Sequence, residues 1–136
     1  MTRKSFSRLE VLVLSAIAVI ALPSSLWMLM APYNWYQNFP GRIPDFGEFN
    51  VHFVRDLGSV YLTWSVACIW AARSTAARFP IVALAALFFC LHALVHVFDT
   101  LRGYVHAGHF LLDFPLSYLP AILLLWVLYS CSRKPE

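Results

Sequence analysis

The chain has 136 residues, 60% of them hydrophobic and 12% charged, with a formal charge of +3 and a mean hydropathy of +0.67. Soluble domains average about 45–50% apolar and about 25% charged residues, so this composition belongs to the membrane class, at a length that suits one compact bundle. The small positive charge forms no basic patch interleaved with aromatics, and nucleic acid is not an expected partner.

Arg3, Lys4 and Arg8 precede an apolar run from Leu9 to about Ala31. The run exceeds the roughly 7–15 residues of a signal-peptide core, and no small-x-small cleavage site follows it cleanly. An uncleaved first transmembrane helix is therefore expected over 9–31, kinked in its outer half by Pro23. Tyr33 to Asn50 reads as a loop, because Pro40-Gly41, Pro44 and Gly47 break helices, and Tyr33, Trp35, Tyr36 and Phe39 suit the headgroup layer. A second helix is expected over 51–72 and a third over 79–101, with Pro80 in its first turn where proline is tolerated. The six residues from Arg73 to Arg78 would make these two antiparallel neighbours. Gly103 to Asp113 reads as a second outer loop, and a fourth helix is expected over 115–131.

The expected fold is thus an all-α, four-transmembrane-helix bundle. Arg3, Lys4, Arg8, Arg73, Arg78, Arg133 and Lys134 all fall at one end, and only Arg42, Arg55 and Arg102 at the other. The positive-inside rule then places both termini in the cytoplasm. All five histidines, with Asp45, Glu48, Asp56, Asp99 and Asp113, fall in the outer half, leaving the inner half as packing. The three cysteines show no C-x-x-C spacing, so neither a disulfide framework nor a thiolate zinc site is expected.

Two polar stripes interrupt the apolar pattern. At 100° per residue, His52, Asp56, Ser59, Thr63 and Ala67 share one face of the second helix, with Arg55 at its border. The small residues make that face an expected helix–helix contact. On the third helix His92, His96 and Asp99 share a face, and the two stripes would meet. Ionisable groups in such segments need partners, water or a function. One reading is a transition-metal site: His92 and His96, at i and i+4, can bind one ion, with His52, Asp56 and Asp99 completing the shell. Imidazole and carboxylate suit zinc, copper, iron or manganese without choosing among them. A second is a non-covalent haem held between His52 and His92 or His96. A third is a pocket in which Arg55 and the histidines hold an anionic or quinone-like ligand, with protons passed along histidines and aspartates. The non-chemical alternative is a structural polar lock, with Arg55 paired to Asp99 or Asp56, in an accessory subunit of a membrane complex or a homo-oligomer. His106 and His109 read as solvated loop residues.

The motif Asn50-x-His52-Phe-Val-Arg55-Asp56-x-Gly58, followed by His92-Ala-Leu-Val-His96, resembles a group of small bacterial four-span inner-membrane proteins. The likeness covers roughly residues 33 to 125. It implies a bacterial inner membrane and supplies no activity. The chain lacks the acidic and arginine pattern of glutathione-handling membrane proteins and the cysteine pairs of mercury transporters.

Overall fold

A computed structural model describes residues 8–132, and the charges at Arg3, Lys4, Arg133 and Lys134 lie outside them. Those residues form helices and connections with no strand. The elements are α1 (Arg8–Met30), α2 (Pro32–Asn38), a 3₁₀ turn (Ile43–Phe46), α3 (Val51–Arg73), α4 (Thr75–Leu101), α5 (His109–Leu112), a π-helical turn (Phe114–Tyr118) and α6 (Leu119–Ser132). Three segments, Arg8–Met30, Thr75–Leu101 and Phe114–Ser132, are long and apolar enough to cross a membrane. α3 is as long as α1, at 23 residues, but more polar because His52, Arg55, Asp56 and Arg73 belong to it.

The four long helices pack in the cyclic order α1, α3, α4, α6, and α1 closes onto α6 over a short stretch only. The backbones of the diagonal pairs do not approach each other. The buried faces carry small residues: Ala18, Ala71, Ala85, Ala86 and Ala121, with Ser25, Ser65 and Cys68. Large apolar side chains point outward instead, among them Leu12, Val19, Leu84, Leu87, Leu91 and Leu94. This is the arrangement lipid favours, since helix association there rests on close backbone approach and not on hiding leucines from water.

At Gly58 the backbones of α1 and α3 come close. A Cβ added there would lie 2.8 Å from the Met28 Cβ and 3.1 Å from the Ser25 carbonyl oxygen. The face of α3 that packs is therefore Val54, Gly58, Ser65, Cys68 and Ala71. This corrects the contact face expected from the polar stripe, because His52, Asp56, Ser59 and Thr63 are exposed. Their hydroxyls find partners within their own helix, Ser59 Oγ donating to the Arg55 carbonyl and Thr63 Oγ1 to that of Ser59. Back-bonding of this kind removes the need for a partner helix.

Two further expectations change. α4 begins at Thr75, not near Phe79, because Ser74 caps it by accepting from the Ala77 N–H at 3.3 Å. Ser74 alone then separates α3 from α4, and Pro80 sits inside the helix. Residues 31–50 are also more than a loop. α2 is fastened to α1 by Trp35 Nε1–H donating to Ser24 Oγ (3.0 Å) and Trp27 Nε1–H to Asn34 Oδ1 (2.9 Å). Tyr36 Oη–H donates to the Gly47 carbonyl at 2.6 Å, folding the segment back as a cover over one end of the bundle.

The opposite end holds a buried polar knot where packing alone was expected. Arg78 donates through Nε to the Ala71 carbonyl (2.7 Å) and through Nη2 to that of Ala72 (2.9 Å), satisfying the last turn of α3. Its Nη1 lies 3.7 Å from Glu10 of α1, and Ser130 of α6 donates to the same carboxylate. One arginine thus joins all four long helices.

Candidate functional site

The motif that opens α3 resolves into local structural roles. Asn50 is its N-cap, its Oδ1 accepting from the His52 and Phe53 N–H groups at 3.0 and 3.1 Å. Gly58 allows α1 to approach. Arg55 directs its Nε–H to the Leu29 carbonyl near the end of α1, at 3.4 Å. His52 and Asp56 pair with each other at 3.3 Å across one turn, with side chains 86% and 63% exposed.

His92, His96 and Asp99 face another way, into a cavity of about 530 Å³ under the 31–50 cover. Its wall comes from α1 at Ala16 to Met28, α3 at Phe53 to Tyr61, α4 at Phe89 to Asp99 and α6 at Leu119 to Leu123. α1 and α6, which both line it, are joined by the Ser130–Glu10 hydrogen bond at the opposite end of the bundle. Its walls are mainly apolar, and the polar groups gather toward the covered end, where Glu48, Asn50, His92, His96, Asp99 and Asp113 lie. A volume of this order and a few convergent polar groups in an apolar wall are what small-molecule sites share.

The polar end is built from connected groups. Tyr61 Oη and His92 Nε2 share a hydrogen bond of 2.9 Å, and the Phe88 ring lies parallel to His92. The His92 and His96 rings meet edge to face with centroids 4.6 Å apart. His96 Nδ1–H donates to Asp113 Oδ2 at 2.8 Å, which fixes the ring and leaves Nε2 as its second functional atom. The other Asp113 oxygen shares a hydrogen bond of 3.3 Å with His109 Nδ1, and His109 Nε2 is 3.1 Å from Asp45 Oδ2 in the cover. Asp45 is paired in turn with Arg42 at 3.2 Å. Phe46, next to Asp45, packs its edge against both the His96 and His109 rings, at 5.1 and 4.7 Å.

His109 is therefore not a solvated loop residue: it is 1% exposed and held between two carboxylates. His106 does lie exposed, its Nδ1 accepting from the Gly108 N–H. The structure brings His92, His96 and Asp99 to one cavity and leaves His52, Arg55 and Asp56 outside its lining. Among the described residues, no group of three or more His, Cys, Asp or Glu side chains is placed to hold a metal ion. Sequence reasoning missed Tyr61, Asp113 and His109 as members of the site. The His109/Asp113 spacing of four, the same as His92/His96, was the available signal.

No protein-family model matches the sequence, and searches of curated proteins and of solved structures return no significant match.

Proposed function

We propose that the chain is a four-span membrane protein that binds a small, largely apolar molecule with a hydroxyl or carbonyl head, a quinone-like compound being the model case. The carrying observation is the roughly 530 Å³ cavity, apolar along the helices and closed at one end by His92, His96 and Asp99. The apolar body would lie along Ile17, Ile20, Val54 and Leu123, and the head would meet the free faces of the two imidazoles. The cavity walls are the membrane-spanning helices themselves, so a lipid-soluble molecule reaches it without leaving the bilayer. α3 acts as the fourth span: its polar first turns stand in the headgroup layer, and Val60, Val66 and Trp70 face outward like the leucines of α4. The excess of Arg and Lys in the terminal segments and the 73–78 connection supports, by the positive-inside rule, termini in the cytoplasm and a cavity in the outer half of the bilayer.

The test is organic extraction and mass spectrometry of protein purified in mild detergent. A stoichiometric apolar compound is expected from the native protein. Ala21→Phe, which fills the cavity from α1, should remove it, and His92→Ala should reduce it. Stoichiometric zinc, copper, iron or manganese, lost on replacing His92 and His96, would replace this reading with the metal one. Reporter fusions to the C-terminus check the orientation.

A further inference from the structure

The cluster around His96 is continuous in a way that ligand binding alone does not require. Asp45, His109, Asp113 and His96 form an unbroken series of hydrogen bonds of 3.1, 3.3 and 2.8 Å. One end, the side chain of Asp45, is 29% exposed in the cover. The other end, His96, lines the cavity, and the two groups between them are buried. His109 presents its two nitrogens to different carboxylates, and Asp113 presents its two oxygens to different histidines. These are groups that accept a proton on one atom and release one from another. Phe46 covers the rings of both histidines, so the polar route past it runs through the side chains.

We propose that this series is a proton path between the aqueous end of the bundle and the head of a molecule bound in the cavity. This rests on the ligand-binding reading above, and it narrows the ligand to one with an ionisable O–H group, such as a phenol or hydroquinone. In the outward direction the ligand O–H bond breaks and an N–H bond forms at His96 Nε2, the oxygen keeping the electron pair. The series starts with Asp113 carrying a proton on Oδ1, toward His109 Nδ1, and with His109 carrying its own on Nε2, toward Asp45. The His96 Nδ1 proton passes to Asp113 Oδ2, the Oδ1 proton to His109 Nδ1, and the His109 Nε2 proton through Asp45 to water. One proton has then left the ligand and one has entered solvent. The return of a proton by the same route restores every tautomer, so the path serves exchange in both directions and needs no oxidant. Other ionisable groups face it: Arg42 beside Asp45, Glu48 and Asp99 on the cavity wall, His92 and Tyr61 beyond His96, and Tyr118 beside Asp113. The His92 ring meets that of His96 edge to face without a hydrogen bond between them, and Tyr61 bonds to His92 on its far side.

The experiment uses the full chain in detergent and a 4-nitrophenol carrying an alkyl tail, whose phenolate is coloured. Affinity is read from quenching of tryptophan fluorescence, and proton exchange from the colour of bound probe after a rapid pH jump. His109→Gln, at a side chain that does not line the cavity, should keep the affinity while slowing the colour change about 100-fold, the lower range for a positioned proton carrier. Asp113→Asn, on the cavity wall, should slow it likewise per molecule of bound probe. His106→Gln, in the exposed part of the same connection, should leave both unchanged. Asp45→Asn, at the surface, gives the same slowing and stands in where a buried variant fails to fold. Unchanged rates in variants that bind the probe would overturn the proton path and leave the ligand site standing. Failure of the native protein to bind the probe would overturn both.

Discussion

Replacing Gly58 by alanine tests the packing on which the cavity depends. In a free helix this change is favourable by about 1 kcal/mol, because glycine is the poorer helix former. Here the new methyl group would meet the Met28 Cβ at 2.8 Å, the Ser25 carbonyl oxygen at 3.1 Å and the Leu29 Cγ at 3.2 Å. The first two are fixed to the backbone of α1 and cannot swing aside, so α1 and α3 must separate. Overpacking of this kind costs about 1–3 kcal/mol, which outweighs the helix-propensity gain in most of that range. A net loss of about 1 kcal/mol is expected for Gly58→Ala, and a much larger one for Gly58→Leu. Thermal unfolding in detergent, followed by circular dichroism, measures it. Ser59→Ala is the neighbouring control, since its exposed hydroxyl bonds only within its own helix and its loss should stay within about 0.5 kcal/mol. A Gly58→Ala variant as stable as the native chain, or more so, would refute close approach of the two helices at this point.

Other outcomes follow from the same contacts. Arg78→Gln or Glu10→Gln should each cost about 3–5 kcal/mol, the range for breaking a buried ion pair; the yield of folded protein in detergent reports it. Asn50→Ala removes two accepted hydrogen bonds at the start of α3 and should lower stability by about 1 kcal/mol in the same melting assay. His52→Ala and Asp56→Ala should change neither stability measurably nor the content of extracted ligand, since exposed pairs contribute little. His96→Ala, by contrast, should lower ligand occupancy and release Asp113, seen as weaker protection of the 103–113 connection in hydrogen exchange.

The helices were legible because long apolar runs broken by Pro-Gly and Asn have few other solutions. Which face of α3 packs was harder to see. In a soluble helix polarity marks the outside, but in lipid both faces are apolar and small residues decide the contact. α3 carries small residues on two faces, Ser59, Thr63 and Ala67 on one and Gly58, Ser65 and Cys68 on the other. The polar first turns pulled the reading toward the wrong one. The His92/His96 pair was visible from its spacing of four. His109 was not, because what buries it is Asp45, 64 positions away in a segment whose folded form depends on Trp35 and Tyr36 gripping α1 and Gly47. Glu10 was overlooked for the same reason: Arg78 and Ser130, which meet it, lie far along the chain.

That separation has a consequence for how the bundle holds together. The Glu10 carboxylate of α1 meets Arg78 of α4 and, 120 positions along the chain, Ser130 of α6. Contacts so far apart in sequence close only once these helices are packed against one another, so the knot belongs to the assembly and to no single helix. A change that lets one of the helices drift is therefore expected to disturb the Ser130 and Arg78 contacts together.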